Sequence, residues 1–182
     1  MAGGSSEAPR GRVPDTHIVL VGMMGSGKTT VGSLLAGRLD RELIDSDAQV
    51  EARSGRTVRE IFETDGEPAF RVLETEALAA ALASETPAVI AAAGGAVLDP
   101  ANRQRIADAG EVVWLDADLA TLTRRATDGD HRPLLADDPE ATLARMAEER
   151  RPLYHDVADH EVDVADCGPE QAVERILEAI SR

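Results

Sequence analysis

A glycine-rich loop lies between an apolar run and a helical stretch near the beginning of this sequence. Residues 18–21 are aliphatic and mostly β-branched, which is typical of a short buried strand. The loop covers residues 22–29 with the sequence GMMGSGKT, and residues 30–39 carry apolar side chains at helical spacing. A strand, a glycine loop and a helix in this order predict the first unit of an α/β fold with a parallel sheet.

The loop also contains Lys28, the only lysine among the 19 Lys and Arg residues of the chain. The loop matches the pattern G-x-x-x-x-G-K-[ST]. In this pattern backbone N–H groups surround phosphates, the lysine contacts the β and γ phosphates, and the hydroxyl of the final Ser or Thr holds Mg²⁺. A planar guanidinium is too broad for the space that this compact ammonium occupies. The alternative is a glycine-rich turn with an incidental lysine. Because a strand and a helix flank the loop, we predict a nucleoside triphosphate site.

Composition narrows the possible functions. The formal net charge of −15 argues against a nucleic-acid surface, and it means that an anionic substrate needs a local cluster of arginines. The single cysteine, Cys167, excludes an internal disulfide and fits a reducing compartment. No apolar run reaches the ~18 residues that span a bilayer, and no signal peptide is visible. We therefore expect a cytoplasmic protein with no membrane partner.

The chain is expected to form one domain over residues 17–182, preceded by a disordered, Gly/Ser/Pro-rich leader at 1–16. Candidate strands are at 18–21, 42–44, 88–92, 112–115 and 161–164. Candidate helices are at 28–39, 46–53, 57–64, 67–84, 100–109, 118–126, 139–157 and 169–181. Thr57 and Glu60 form a possible capping box, and Pro169 is suited to the start of a helix. The polar stretch 127–139 predicts a mobile lid, with an ordinary surface loop as the alternative.

Asp45 and Asp47 follow the second candidate strand, at the edge of the sheet where ligands of parallel sheets bind. If both lie on the strand, their side chains point the same way and reach one site. One carboxylate then supports Mg²⁺ through water, and the other accepts a proton from an attacking hydroxyl. The alternative is a helix N-cap beside a solvated acid.

A second cluster contains both phenylalanines of the chain, Phe62 and Phe70, together with Arg71 and Glu74. The arginine and the glutamate are three residues apart, so they can pair on one helix face. Such an arginine can bind a substrate carboxylate while the phenyl rings form a wall. A surface salt bridge beside a small apolar patch is the alternative.

Two further stretches are candidates for the same site. The run 150–154, with sequence RRPLY, offers another cationic anchor, although it also fits a solvated helix end. Gly94 and Gly95 follow the third candidate strand and allow the backbone to approach a ligand closely. A tight turn after the strand is the alternative for the glycine pair.

Together these residues resemble the shikimate kinase family over about 18–180. The resemblance is carried by ordered motifs: GMMGSGKT, LIDSD, IFETDGEPAFRVLE, GGAVL, RPLL and RRPLY. It implies a three-layer α/β/α P-loop kinase fold, whose five-stranded parallel sheet has the order 2-3-1-4-5. It also implies a substrate-binding helical segment at about 46–75 and a lid at about 125–138. The implied reaction transfers the γ-phosphoryl of ATP to the 3-hydroxyl of shikimate.

The resemblance further implies roles for individual residues. Those implied for ATP are Gly25, Ser26, Gly27, Lys28, Thr29, Thr30, Arg125, Arg132 and Pro169. Those implied for shikimate are Asp47, Phe62, Phe70, Arg71, Glu74, Gly94, Gly95 and Arg150. Thr29 and Asp45 are implied for Mg²⁺, and Lys28, Asp47 and Arg132 for catalysis, with Asp47 as the candidate base. The chain departs from the family pattern at Ala93, where a third glycine is usual, and at Cys167, near the expected adenine.

Other functions stay open at the level of sequence. A gluconate kinase would share the fold and the arginines, although the phenyl wall favours a ring over an open chain. A nucleoside monophosphate kinase would need more stacking surface than four aromatic residues supply. A GTPase switch needs Asn-Lys-x-Asp, which is impossible because Asn102 and Lys28 are the only residues of their types. A degenerate kinase-like protein would bind ATP without turnover. We expect a monomer, since no long apolar edge or heptad pattern requires a partner.

Overall fold

The computed structural model describes residues 13–127 and 138–181. Most of the expected leader, the central part of the expected lid and Arg132 lie outside the described residues. The predictions made for those residues therefore stay predictions.

A five-stranded parallel sheet forms the centre of the molecule, in the order β2-β3-β1-β4-β5. The strands are β1 at His17–Val21, β2 at Leu43–Asp45, β3 at Val89–Ala91, β4 at Gly110–Asp116 and β5 at His160–Asp163. In the central strand, Val19 pairs with Ile90 of β3 on one side and Val112 of β4 on the other. All five residues of β1 are buried, which explains why residues 18–21 are continuously apolar instead of alternating. The fold class and the strand order expected from the sequence are confirmed.

Seven α-helices cover the sheet in the described part of the chain. They are α1 at Lys28–Leu39, α2 at Ser46–Ser54, α3 at Val58–Leu82, α4 at Pro100–Ala109, α5 at Leu119–Thr127, α6 at Pro139–Val157 and α7 at Pro169–Ile180. Among the residues described, none of these helices combines the length and the apolar character needed to cross a membrane.

The starts of the helices follow from local chemistry. The Thr57 side chain accepts a hydrogen bond from the Glu60 amide, and the Glu60 carboxylate accepts one from the Thr57 amide, so the predicted capping box begins α3. Gly66 has φ 80° and ψ 172°, which is not a helical conformation, so a kink divides α3 into two helical parts that correspond to the helices expected at 57–64 and 67–84. The kink separates Phe62 from the part of α3 that carries Arg71.

The described residues include a short segment before the first strand. Val13 packs against the main core, and the Arg41 guanidinium donates hydrogen bonds to the carbonyls of Pro14 and Thr16. Residues 13–16, which the sequence assigned to the leader, are therefore attached to the folded body.

Two apolar clusters stabilise the fold. The main cluster contains the sheet and the helices on its faces, and it includes Trp114 and Tyr154, whose ring centroids are 6.0 Å apart. A smaller cluster lies between α2 and α3 and consists of Val50, Ile61, Phe70 and Ala77. The helical segment expected to meet the substrate thus has a small core of its own.

Candidate active site

A cleft of about 900 Å³ opens at the carboxyl ends of the strands. Loops that leave β1, β2, β3 and β5 all reach this edge because the strands are parallel. Every predicted site residue within the described chain lines the cleft: Gly25, Ser26, Gly27, Lys28, Thr29, Thr30, Asp45, Asp47, Phe62, Phe70, Arg71, Glu74, Gly94, Gly95, Arg125, Arg150 and Pro169. The structure therefore brings the separate motifs of the sequence into one site.

The phosphate loop, residues 22–29, lies on the floor of the cleft between β1 and α1. Gly25 has φ 82°, and a Cβ there would lie 2.6 Å from the Leu122 carbonyl oxygen, so only glycine fits. The Lys28 ammonium donates to the carbonyl oxygens of Gly22 and Met23 at 2.7 and 3.0 Å, across the base of the loop. The positive end of α1 and the ammonium together favour an anion at this place.

Thr29 and Asp45 join the phosphate loop to the end of β2. The threonine hydroxyl donates to Oδ2 of Asp45 at 2.6 Å. The other carboxylate oxygen caps α2 by accepting from the amides of Asp47 and Ala48, at 3.0 and 3.3 Å. Asp45 is therefore a helix N-cap, which was the alternative considered from the sequence, and its other carboxylate oxygen faces the phosphate loop.

Asp47 reaches the cleft by a route that differs from the expected one. We expected Asp45 and Asp47 to point the same way because they would alternate on one strand. That explanation is wrong, because β2 ends at Asp45 and Asp47 lies in the first turn of α2. Both carboxylates still line the cleft, since the strand-to-helix turn places the beginning of α2 over it.

Arg71 lies between two carboxylates on α3. Its Nη1 donates to both oxygens of Glu74 at 2.9 and 3.0 Å, and its Nη2 and Nε donate to Oε1 of Glu67 at 2.7 and 3.2 Å. The guanidinium also lies 5.5 Å from the centre of the Phe70 ring. On its other side is Gly95, where a Cβ would lie only 2.0 Å from Nη1. The guanidinium is therefore held in one orientation at the wall of the cleft.

Burial governs the charges around this arginine. It raises the pKa of the Glu74 carboxyl, although Arg71 beside it acts in the opposite direction and Asp47 adds to the increase. Burial alone would lower the pKa of Arg71, but Glu74 and Glu67 outweigh it and raise that pKa. The arginine stays a cation, and the buried glutamate is its main counter-ion.

Arg150 and Arg151 are adjacent on α6 but face different surroundings. Arg150 is buried, lines the cleft, and its Nε has no hydrogen-bond partner. Arg151 points away, donates to the Asp116 carboxylate and lies 5.4 Å from the centre of the Trp114 ring. The assignment of Arg150 to the site is therefore supported by geometry.

The phenyl wall expected from the sequence is present. The ring centroids of Phe62 and Phe70 are 4.7 Å apart with an interplanar angle of 39°, and both side chains line the cleft. They come from opposite sides of the kink at Gly66, which brings the two rings together.

Ala93 has an ordinary backbone conformation where the resemblance expects a glycine. In the described residues, Asp40 is the only non-glycine residue with positive φ. The Ala93 amide donates to the buried Ser46 hydroxyl at 2.8 Å, and this hydrogen bond ties the end of β3 to the start of α2. The methyl group at position 93 is therefore compatible with the site.

At the other end of the cleft, Arg125 joins α5 to the loop after β5. Its Nη2 donates to the carbonyl oxygens of Val164, Ala165 and Cys167, at 2.9, 3.2 and 3.4 Å. These contacts place the guanidinium beside Pro169, which begins α7. Arg125 thus forms part of the wall on the side of the cleft away from Arg71 and Arg150.

The cleft therefore has a phosphate loop at its centre and two arginines with a phenyl wall at one end. A family model for shikimate kinase matches residues 24–181. The chain belongs to the shikimate kinase family.

Individual relatives agree with this membership. A shikimate kinase from Paramagnetospirillum magneticum is 46% identical over 171 residues, which cover 93% of this chain and 86% of that protein. The solved shikimate kinase from Acinetobacter baumannii, in complex with shikimate, is 37% identical with a TM-score of 0.87, covering 91% of this chain and 92% of that one. A gluconokinase from Sinorhizobium meliloti is 21% identical with a TM-score of 0.63, covering 94% of each chain, and shows a common fold alone.

The oxygen atoms near the phosphate loop suit Mg²⁺ in a family of kinases. The Thr29 hydroxyl and the Asp45 carboxylate are hard oxygen donors only 2.6 Å apart. Within 13–127 and 138–181, no group of three or more His, Cys, Asp or Glu side chains is placed to cage a metal. A pair of protein oxygens fits Mg²⁺, which keeps several waters and takes further ligands from phosphates.

Sequence reasoning missed three residues around the cleft. Glu67 binds the outer edge of Arg71, Ser46 binds the Ala93 amide, and the Tyr154 hydroxyl donates to the Gly94 carbonyl at 2.6 Å. The tyrosine has a signal in the sequence, because it lies four residues after Arg150 and so on the same helix face. Ser46 has no such signal, since its partner lies 47 residues away.

Proposed function

We propose that this chain transfers the γ-phosphoryl group of ATP to the 3-hydroxyl of shikimate, giving shikimate 3-phosphate and ADP. One observation carries the proposal: two arginines and a phenyl wall lie in the same cleft as the phosphate loop. Arg150 is buried with an unpartnered Nε, as expected for a cation whose ligand is an anion from solution. The family membership supports shikimate as that anion.

The acceptor binds at the end of the cleft formed by α2, α3 and α6. Arg71 and Arg150 hold its carboxylate, and Glu74 keeps Arg71 oriented. The ring of the acceptor packs against Phe62 and Phe70. Asp47 and the glycine pair at 94–95 meet its hydroxyl groups.

The nucleotide binds along the phosphate loop. Backbone amides of residues 25–30 surround its phosphates, and the Lys28 ammonium leaves its carbonyl partners to reach the β and γ oxygens. The buried Ser26 hydroxyl, which has no hydrogen-bond partner, supports a phosphate ligand here. Adenine lies near Arg125 and Pro169. Thr29 and Asp45 hold Mg²⁺, which when bound neutralises charge on the β and γ phosphates.

In the reaction, the acceptor oxygen attacks the γ phosphorus and the bond from that phosphorus to the β,γ-bridging oxygen breaks. The hydroxyl proton passes to the Asp47 carboxylate, and ADP leaves with the electron pair. Lys28 stabilises the charge on the transferring group, together with Arg132 of the lid. Most of the catalytic effect comes from alignment and charge neutralisation, as is usual for phosphoryl transfer.

A coupled assay for ADP release tests the proposal. The purified chain is incubated with Mg-ATP and either shikimate, gluconate or no acceptor. We expect strong turnover with shikimate and only background with the other two. Turnover with gluconate alone would move the acceptor to a different acid. ATP binding without acceptor-dependent ADP release would reduce the chain to a nucleotide-binding relative of the kinases.

We also propose that the enzyme acts as a monomer in the cytoplasm. No long apolar edge or heptad pattern in the sequence requires a partner, and a single cysteine with ATP as co-substrate fits a reducing, ATP-rich compartment. Light scattering at the protein concentration of the assay measures the oligomeric state, and the mass of a dimer would contradict the proposal of a monomer.

A further inference from the structure

Tyr154 lies behind the acceptor end of the cleft and is completely buried. It is one helical turn after Arg150 on α6, so its side chain extends under the same part of the site. Its hydroxyl donates to the Gly94 carbonyl oxygen at 2.6 Å and lies 3.8 Å from Sδ of Met23. The hydroxyl therefore touches both the glycine pair and the phosphate loop.

The glycine pair is confined on two sides. A Cβ on Gly94 would lie 3.3 Å from the Gly22 carbonyl oxygen and 3.5 Å from the Met24 amide nitrogen. A Cβ on Gly95 would lie 2.0 Å from Arg71. The pair thus fills the narrow space between the phosphate loop and the arginine proposed to bind the acceptor.

The hydrogen bond from Tyr154 sets the direction of one peptide group. Glycines have no side chain to restrict their dihedral angles, so a peptide between two of them is easily rotated. In a planar trans peptide the carbonyl and the N–H point to opposite sides. Because the Gly94 carbonyl faces the buried tyrosine, the Gly95 N–H faces away from it.

The tyrosine is suited to remain a donor. Burial raises the pKa of its hydroxyl, and the Arg150 guanidinium, through its charge and a hydrogen bond to that hydroxyl, opposes the effect only in part. The hydroxyl therefore stays protonated throughout the pH range in which the fold is expected to work.

We propose that Tyr154 is a positioning residue for the acceptor, because its hydroxyl fixes the peptide between Gly94 and Gly95 against the phosphate loop and beneath Arg71. The tyrosine touches neither substrate. It sets the distance between the part of the cleft that holds the phosphates and the part that holds the carboxylate. This inference rests on the proposed function, since it assumes that the acceptor binds at Arg71 and Arg150.

The test is Tyr154→Phe, which keeps the ring and removes the hydroxyl. We expect the KM for shikimate to rise about fivefold or more, because this is the effect on binding of losing one buried hydrogen bond. The Kd for ATP, measured by calorimetry without shikimate, should stay within about twofold. The control is Ile106→Val, which removes one methylene from a fully buried residue of α4, outside the cleft lining, and should leave both constants unchanged.

The outcomes separate this inference from the proposed function. Arg71→Ala should weaken shikimate binding by about 30-fold or more if the acceptor site is correct. If Arg71→Ala has this effect but Tyr154→Phe leaves the shikimate KM unchanged, only the role of Tyr154 is wrong. If Tyr154→Phe and Ile106→Val change the shikimate KM and the ATP Kd to the same extent, the tyrosine only stabilises the fold. If Arg71→Ala has no effect, the acceptor site itself is misplaced.

A measurement on the unsubstituted chain covers the case in which Tyr154→Phe does not fold. Tyr154 is the only tyrosine, so a ¹³C label at its hydroxyl-bearing carbon gives a single signal. In mixed H₂O and D₂O, a slowly exchanging hydroxyl splits that signal into two. We expect the split signal with and without shikimate, and one averaged signal would show that the hydroxyl does not hold Gly94.

Discussion

Two adjacent arginines show how strongly the position on a helix determines the chemistry of a residue. Arg150 and Arg151 have the same side chain, yet one is buried beside the cleft and the other binds Asp116 at the far side of α6. Successive residues on a helix point about 100° apart, so neighbours meet different environments. The sequence predicted a cationic anchor in this run, and the resemblance to the family assigned that role to Arg150.

The first prediction concerns Asp47, the candidate base. Asp47→Asn keeps the shape of the side chain but cannot accept the hydroxyl proton. We expect kcat to fall about 100-fold or more, because general-base catalysis contributes on that scale. The Kd for ATP should change little, and calorimetry measures it separately. A kcat within about threefold of the unsubstituted enzyme would remove Asp47 from the role of base.

The second prediction concerns Glu67, which occupies the outer edge of Arg71 that a substrate carboxylate would use. Glu67→Gln removes this competing charge, so the KM for shikimate should fall about two- to fivefold. A change of this size corresponds to the energy of an exposed ion pair. The control is Asp65→Asn, because Asp65 also lies on α3 and pairs with an arginine, Arg56, and neither residue of that pair lines the cleft. An increased KM in Glu67→Gln would instead mean that Glu67 orients Arg71 for the substrate.

At the scale of single elements, helix ends were the most predictable features. Helices α1, α4 and α6 have the bounds expected from the sequence. In α4 and α6, Asp99 and Asp138 cap a helix that begins with proline. The start of α2 at Ser46 was also as expected, but the reason why Asp45 and Asp47 face one site was not. An Asp-Ser-Asp run fits a strand end or a helix start equally well, and only tertiary packing decides between them.

The third prediction concerns Asp45, which caps α2 and binds Thr29. Asparagine is also a good N-cap, so Asp45→Asn should keep most of the stability, whereas Asp45→Ala should lower the free energy of unfolding by about 1 kcal/mol. Both variants lose the carboxylate, so both should need more Mg²⁺ for half-maximal activity. Denaturant titrations and Mg²⁺ titrations measure the two effects. If Asp45→Asn keeps the normal Mg²⁺ requirement, the carboxylate does not support the metal.

At the scale of the whole molecule, alternation of strands and helices was enough to predict a parallel sheet. The strand order came from the resemblance to a family, because pairings such as that of β2 with β3 join segments far apart in the sequence. The same limit applies to the site. Arg71 and Glu74 are close in sequence and were predicted as a pair, whereas the contact of Tyr154 with Gly94 spans 60 residues.

The fourth prediction concerns the dependence of stability on pH. Burial raises the pKa of Glu74 above its ordinary value of 4.5. The Glu74 carboxyl therefore makes its full contribution to stability at pH values below its pKa in the unfolded chain. That contribution is lost as the pH rises through its higher pKa in the folded chain. Relative to Glu74→Gln, the unsubstituted chain should lose stability between about pH 4.5 and pH 7. Denaturant titrations at both pH values measure this, and a relative gain would show that the attraction of Arg71 outweighs burial.

The separate apolar cluster between α2 and α3 has a consequence for how such enzymes diverge. Much of the wall proposed to meet the acceptor comes from one continuous stretch, which carries Asp47, Phe62 and Arg71 and packs around its own small core. The phosphate loop and the residues near α7 lie outside that stretch. Substitutions confined to this short, self-packed stretch can therefore reshape much of the acceptor wall while the phosphate loop keeps its structure.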